Sequence, residues 1–291
     1  MLTAIIADSS HWFAYPNIDP VALHLGPLSI RWYGLTYVIG AFLVYLQLQS
    51  PNSRKRTGMS VEQAQEFVVY AMIGVILGGR TLFLIADMLT PLSAGGHPPS
   101  FYLNNPLELI SIWHGGMAFH GGLLGAIGAA WLFLRRNGLA FNAVADEGVL
   151  WLPLAIALTR FANFINAELP GRITSSPVGI RFPGFDGFRY PSQLFEALGM
   201  IAAVLPLLWL IHRSRGRAEG TIFWAFIAAY GAVRTLVEFY REPGIMILGL
   251  TAAQYLTIAM AASGLLMIVV LQRNRLARPL TSEQQYPRAL T

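Results

Sequence analysis

The segment Arg160-Phe-Ala-Asn163-Phe-Ile-Asn166-Ala-Glu168 closes an apolar stretch of the chain with a fixed positive charge, two amides and a carboxylate. These are the groups that grip and orient an oxyanion. Arginine stays charged when desolvated and holds phosphate through two parallel hydrogen bonds, which lysine cannot do. A charge at the depth of membrane hydrocarbon costs roughly 2.5 to 3.5 kcal/mol on insertion scales, so it needs a partner or a purpose. Arg160, Asn163 and Asn166 are three apart and form one stripe if the helix continues, until Pro170-Gly171 ends it. Buried amides that only satisfy a helix end are common, and that reading stands beside the functional one.

Two further clusters interrupt apolar runs. Arg234, Glu238 and Arg241 are spaced by four and three residues, which places them on one helix face. Glu238 is then placed to hold both guanidiniums while their outer forks stay free. A charge ladder that merely ties helices together is the alternative. His120 stands in Gly115-Gly-Met-Ala-Phe-His-Gly-Gly-Leu-Leu-Gly125, where Gly121 and Gly125 have the small-xxx-small spacing of close helix packing. In an apolar helix near several arginines, burial and like charge favour a neutral imidazole, the base form. A lone histidine is more often structural, so both roles stay open. His114, His97, His11 and His24 read as loop or interface residues, and His212 as part of a basic cluster.

Helices of membrane length must position these groups. Of 291 residues 55% are apolar and 12% charged, against about 25% charged in soluble domains, and the mean hydropathy is +0.51. The expected class is all-α: a polytopic helix bundle with seven spans, roughly 30–48, 64–86, 117–134, 143–163, 191–211, 221–240 and 250–271. Ser60 with Gln63 makes a capping box for the second span, and Pro191 is placed to open the fifth. Residues 1–29 form an outer N-terminal segment without the basic region or cleavage site of a signal peptide. Residues 30–271 form the membrane domain, with an outer loop at about 164–190 lacking clear periodicity, and 272–291 a basic cytoplasmic tail. No internal repeat is visible.

Basic clusters follow the first, third, fifth and seventh spans: Arg54-Lys-Arg56, Arg135-Arg136, Arg213 with Arg215 and Arg217, and Arg273 with Arg275, Arg278 and Arg288. All four fall on one side, which is cytoplasmic by the positive-inside rule, so the N-terminus is outside and the C-terminus inside. The remaining basic residues, Arg31, Arg80, Arg160, Arg172, Arg181, Arg189, Arg234 and Arg241, then lie in the outer half of the bundle or in outer loops. An anionic, phosphate-bearing ligand on the outer side accounts for them most simply; snorkelling to outer headgroups or pairing with nearby carboxylates is the rival reading, strongest for Arg172, Arg181 and Arg189.

The chain contains no cysteine, so it has no disulfide framework and no thiol nucleophile of its own. It also lacks the Gly-x-Ser-x-Gly elbow, the His-Glu-x-x-His zinc helix and the phosphate loop ending in Gly-Lys. Closely spaced Asp pairs for magnesium are missing too, so no metal or cofactor is expected. Nothing points to nucleic acid as a partner. Polar groups gathered at one level of the bundle argue against a transporter with a midplane site.

Thr159-Arg-Phe-Ala-Asn-Phe-Ile-Asn-Ala-Glu-Leu-Pro-Gly171 resembles the signature of the bacterial prolipoprotein diacylglyceryl transferase family, Gly-Arg-x-Gly/Ala-Asn-Phe-x-Asn-x-Glu-x-x-Gly. Trp32-Tyr33-Gly34, Leu77-Gly-Gly-Arg80, Gly115-Gly-Met-Ala-Phe-His-Gly-Gly122, Tyr190-Pro-Ser-Gln-Leu-Phe-Glu196 and Tyr230-Gly-Ala-Val-Arg-Thr-Leu-Val-Glu-Phe-Tyr-Arg241 match it in the right order. Thr159 departs from the leading glycine, Tyr190 from a frequent histidine and His114 from a common aspartate.

The resemblance implies an enzyme of the bacterial inner membrane whose site faces the outer leaflet. It would move the diacylglyceryl group of phosphatidylglycerol to the lipobox cysteine of a prolipoprotein signal peptide, forming a thioether and releasing glycerol phosphate. The residues then expected are His120, Arg160 and Arg234 for catalysis. His120 would be the base, Arg160 the phosphate clamp and Arg234 the leaving-group stabiliser. Tyr33, Asn163, Glu168, Gly171, Glu238 and Arg241, again with Arg160, would bind substrate.

Overall fold

The computed structural model of the chain describes residues 11–25, 28–112 and 115–277. His114, Arg278 and Arg288, and with the last two most of the expected tail, lie outside the described residues. About two thirds of the described residues are helical, as the all-α expectation requires, and two short hairpins occur among them.

In chain order, strands β1 (Val21–Leu25) and β2 (Leu28–Arg31) pair antiparallel and lead into helix α1 (Trp32–Gln49). Helix α2 (Pro51–Thr57) is followed by α3 (Val61–Leu89), α4 (Pro99–Asn104), α5 (Phe119–Arg136), α6 (Phe141–Gly148) and α7 (Leu152–Ile165). Next come α8 (Ser192–Gly199), a π-helical turn over Met200–Val204 and α9 (Leu205–Arg213), then α10 (Thr221–Glu238). Strands β3 (Met246–Ile247) and β4 (Leu250–Thr251) make a second hairpin before α11 (Ala252–Leu276).

Helices occupy all seven expected stretches, yet not all are alike. Among the described residues, four are long and apolar enough to cross a membrane: Val61–Leu89, Ser192–Arg213, Thr221–Glu238 and Ala252–Leu276. The pair α6–α7, bent by 46°, adds a fifth if it forms one span. The expected fourth span is therefore broken rather than continuous. Pro153 stands at the start of α7, where its missing N–H costs nothing but where it cannot prolong the preceding helix. Helices α1 and α5 have 18 residues each; polar ends (Gln47 and Gln49; His120, Arg135 and Arg136) keep them outside that set.

The chain divides into two compact units, residues 1–44 with 145–291, and residues 45–144. The second unit is built on the crossing of α3 and α5. A Cβ on Gly78 would collide with the Gly121 carbonyl and stand 2.8 Å from the Gly125 Cα, and one on Gly125 would strike the Gly74 carbonyl. Four glycines thus bring two backbones into contact, the packing expected of Gly121 and Gly125. The expected capping box is present: Ser60 Oγ accepts from Gln63 N at 3.1 Å and Gln63 Oε1 from Ser60 N at 2.9 Å.

The first unit holds the larger core, with Leu150, Ala157, Ala197, Met200, Val204, Leu208 and Ile222 fully shielded between α7, α8, α9 and α10. Helix α10 is fixed at both ends. At its start, buried Asp146 of α6 accepts from Gly220 N at 2.9 Å and Phe223 N at 2.8 Å, filling the role of an N-cap from another helix. Along its length, Gly231 fits against the Thr257 carbonyl of α11 and Gly264 against the Trp224 carbonyl. The loop 169–190 is more ordered than its lack of periodicity suggested. Isolated bridges join Gly171 to Arg241, and Ile173 and Ile180 to Arg189, while Ile180 and Phe182 form a small core with Phe164.

Candidate active site

All of the expected substrate-binding residues, together with Arg160 and Arg234, belong to the first unit, and, Gly171 apart, their side chains form one polar cluster joined through Glu196. Helix α7 ends at Ile165, and the chain then turns sharply. Ala167 and Leu169, on either side of Glu168, take positive φ values of 54° and 55°, a conformation that costs non-glycine residues about 1 kcal/mol or more and persists where the surroundings enforce it. This turn brings Glu168 back over the helix end, where Glu168 N donates to the Asn163 carbonyl at 2.8 Å.

The carboxylate of Glu168 is the hub of one half of the cluster. It accepts from the Tyr33 hydroxyl at the start of α1, from Asn163 Nδ2 at 3.3 Å and from Asn166 Nδ2 at 3.4 Å. Asn163 Nδ2 also reaches the Tyr33 oxygen, and Arg160 Nη1 donates to Asn163 Oδ1 at 3.1 Å. The Arg160–Asn163–Asn166 stripe read from the spacing is therefore present, with Tyr33 closing it. Gly171 is a packing position. A Cβ there would strike the Tyr240 carbonyl and lie 2.8 Å from that of Tyr190, so only glycine lets these three segments meet.

The other half is the α10 ladder. Glu238 Oε2 accepts from Arg234 Nη1 and lies 3.6 Å from Arg241 Nε, while Glu238 Oε1 takes the Thr251 hydroxyl at 3.1 Å. One carboxylate thus holds both guanidiniums, as the i, i+4 and i, i+3 spacing required. Burial, then the neighbouring Arg234 charge, lowers the pKa of Arg241 from its ordinary value; a guanidinium so placed is a poorly hydrated cation that an anion would relieve.

Glu196, to which the sequence reading assigned no role, joins the halves. It is completely buried on α8, with Oε1 3.0 Å from Arg160 Nη2 and Oε2 4.0 Å from Arg234 Nε. Gly199, one turn on, makes this possible. A Cβ there would stand 2.5 Å from Val233 Cγ1, so α8 lies tight against α10 beside Arg234. The cue available in the sequence was an acidic residue six positions into an apolar span. Next to it, Gln193 Nε2 donates to the Glu168 carbonyl at 2.5 Å, tying α8 to the turn. Arg160 Nε, Asn166 Oδ1 and Gln193 Oε1 are buried without hydrogen-bond partners, and such orphaned groups in a polar cluster are places for a ligand or water.

Two sequence expectations change, for Arg80 and His120, and for Arg189 the rival reading, a pair with a nearby carboxylate, is the one seen. Arg80 was grouped with ligand-seeking arginines, but its fork is spent. Nε donates to Leu109 O at 3.1 Å, Nη1 to Gly115 O at 2.9 Å and Gly116 O at 3.0 Å, and Nη2 to Glu108 O, with the ring of Phe83 beneath at 5.3 Å. It is a buried clamp on the segment that leads to α5. Arg189 pairs with Glu242 at 2.6 Å and bonds the Gly171 carbonyl at 3.1 Å, while Arg172 and Arg181 are exposed. His120 lies in the other unit, in the first turn of α5, and its side chain is exposed rather than buried. Among the other histidines, His97 meets Asp87 at 3.2 Å, His11 stacks on Phe188, and His212 pairs with Glu147 at 3.2 Å.

Helices of membrane-spanning length that gather three arginines and three carboxylates describe a multi-pass membrane protein with a cluster of fixed charges among its helices. Residues 20–270 match the family model of prolipoprotein diacylglyceryl transferase, and the chain belongs to that family. Among its relatives, the phosphatidylglycerol--prolipoprotein diacylglyceryl transferase of Bordetella parapertussis is 44% identical over 258 residues, covering 86% of this chain and 94% of the relative. Proteins of the same name from Oleidesulfovibrio alaskensis (92% of this chain, 99% of the relative) and Geobacter sulfurreducens (90% and 98%) are each 40% identical.

Proposed function

We propose that this chain transfers the diacylglyceryl group of phosphatidylglycerol to the lipobox cysteine of a prolipoprotein signal peptide, making a thioether and releasing glycerol phosphate. The observation that carries the reading is the gathering of Arg160 from α7, Arg234 from α10 and Arg241 from just beyond the end of α10 around Glu196 and Glu238. An array of fixed cations in a low-dielectric site is what a departing phosphate requires. Membership of the family and the names of its relatives supply the substrates.

In this reading the thiolate attacks the primary carbon of the diacylglycerol, and the carbon–oxygen bond to phosphate breaks. The electron pair leaves on the phosphate oxygen, and the thiol proton passes to a base. An unperturbed thiol with pKa about 8.5 is mostly protonated at neutral pH, so ionisation needs help. His120 is the base or orients it; Arg160 clamps the phosphate; Arg234 takes the charge that develops on the leaving oxygen. Tyr33, Asn163 and Glu168 hold the headgroup side, Gly171 permits the close approach behind it, and Arg241 with Glu238 orients the ladder. The chain's own residues supply the charge that a metal supplies elsewhere, and no nucleic acid takes part.

The same proposal places seven spans in the bacterial inner membrane, with residues 1–29 outside, 30–271 as the membrane domain, an outer loop at 164–190 and 272–291 in the cytoplasm. The cage then faces the outer leaflet, level with lipid headgroups. The test is purified protein, phosphatidylglycerol and a lipobox peptide, read by mass. A peptide heavier by one diacylglyceryl group is expected, absent with phosphatidylethanolamine alone; an unmodified peptide in the presence of phosphatidylglycerol overturns it. His120→Gln should flatten the acid limb of the rate profile, and an unchanged profile at near-normal rate removes the base role.

A further inference from the structure

Glu196 is unusual among the charged groups of the cage. Its carboxylate is 0% exposed, and neither oxygen has an aligned hydrogen-bond donor, although guanidiniums stand 3.0 and 4.0 Å away. A buried ion pair of this kind is poor value for stability. The desolvation of the carboxylate offsets most of the attraction, and an apolar residue of similar volume commonly does as well. Its effect on the charge of the site is larger. Arg160, Arg234 and Arg241 pair with Glu196 and Glu238, and the third carboxylate, the more exposed Glu168, is joined to Arg160 through Asn163, so the cage is formally neutral. Arg189, which bonds the Gly171 carbonyl, pairs with Glu242 and adds no net charge. Two phenols also meet these charges, Tyr230 beside Glu196, Arg160 and Arg234 and Tyr33 beside Glu168 and Arg160, and an ordinary phenol is uncharged at neutral pH. Without Glu196 the cage would carry one net positive charge, at the point where the two arginines from different helices converge.

Resting on the transferase reading, we infer that Glu196 is a specificity-determining residue that sets the anion site to prefer a phosphodiester monoanion over a phosphomonoester dianion. The substrate lipid carries a single phosphodiester charge. The product, glycerol phosphate, is a monoester whose second pKa is about 6, so at neutral pH it bears close to two. A neutral cage grips the first through the directed forks of Arg160 and Arg234 and gains little from the second charge of the other. A cage with one more positive charge holds the dianion too well, and the product stays. Glu196 therefore favours turnover by weakening the grip on what must leave. It is a positioning residue, acting through Arg160 and Arg234, and touches neither reacting atom.

The test uses the full-length protein in detergent at pH 7.5, with glycerol phosphate and the deacylated headgroup diester glycerophosphoglycerol as probes in calorimetry and as inhibitors of transfer. The wild-type protein should bind the diester at least as tightly as the monoester. Glu196→Gln, which keeps shape and removes charge, should tighten glycerol phosphate by roughly tenfold or more, the order expected of one unit charge a few ångströms away at a partly solvated site. It should lower kcat as product release becomes limiting and leave or lower KM for the lipid. Glu196→Asp should restore the wild-type preference. A merely structural Glu196 predicts the reverse, weaker binding of both probes and a raised KM, and that result overturns the inference. If Glu196→Gln does not fold, the wild-type ratio decides alone, and a tenfold preference for the dianion overturns it. Failure of the wild-type protein to modify the peptide counts against the transferase reading, whereas the ratio of the two probes still tests the charge assignment.

Discussion

Tyr33 and Glu168, separated by 135 positions, share a direct hydrogen bond in which the phenol donates to the carboxylate. It joins the first turn of α1 to the turn that follows α7, and Asn163 of α7 bonds both partners. No single stretch of sequence displays this contact. It accounts for a tyrosine at the mouth of an apolar helix and for the strained backbone around Glu168.

Tyr33→Phe removes that donor while keeping the ring. It leaves the exposed Glu168 carboxylate to water and the buried Asn163 amide with one partner fewer, a loss of about 1 kcal/mol. The expected outcome is a fall in kcat/KM of roughly 10- to 100-fold with a small change in thermal stability. Steady-state transfer kinetics alongside a melting curve check it, and near-normal turnover counts against the Glu168 hub.

Gly171→Ala places a methyl group against the Tyr240 and Tyr190 carbonyls. Backbone must move, so a loss of about 1–3 kcal/mol or more is expected, together with loss of activity because the same segments carry Glu168 and Arg241. Differential scanning fluorimetry in detergent measures the first effect, and the peptide mass assay the second.

Two glycines of α5 separate close packing from open space. Gly125→Ala drives a methyl into the Gly74 carbonyl, whereas nothing lies within 4 Å of a Cβ on Gly128. The first should destabilise the α3–α5 crossing by about 1–3 kcal/mol or more. The second should be neutral or stabilising by up to about 1 kcal/mol, through alanine's better helix propensity. Equal melting temperatures for the two variants would contradict the crossing.

Arg80→Lys keeps the charge and loses the fork that bonds four carbonyls. A single ammonium cannot span Glu108, Leu109, Gly115 and Gly116. The variant should be markedly less stable, yet phosphatidylglycerol should raise its melting temperature by as much as it raises that of the wild type, because the Arg80 fork is spent on backbone carbonyls. A thermal shift series against lipid reads both quantities.

Much of this arrangement was legible in the sequence because it is local. The Arg234–Glu238–Arg241 ladder, the Arg160–Asn163–Asn166 stripe and the Ser60–Gln63 capping box all follow from helical periodicity over four residues or fewer. The glycine spacing in α5 revealed close packing for the same reason. What escaped depends on contacts between distant elements. Glu196 looked like one acidic residue in an apolar span until α8 packed on α10 through Gly199. Asp146 caps a helix more than seventy positions away. Arg80 resembled the ligand arginines in type and depth, and only its carbonyl partners set it apart. The break in the fourth span was signalled by Pro153, but the apolar run on both sides of it masked the bend.

The central claim is that the cage around Arg160, Glu196, Arg234 and Arg241 receives the phosphate of the lipid. A phosphatidylglycerol analogue with a photoreactive group on its terminal glycerol, activated in membranes and mapped by peptide mass, tests this directly. Labels are predicted on the segments 160–171, 190–196 and 234–241, competed away by unlabelled phosphatidylglycerol. Competed labels confined to the basic segments 54–56 and 213–217, with none in the cage, would contradict the account.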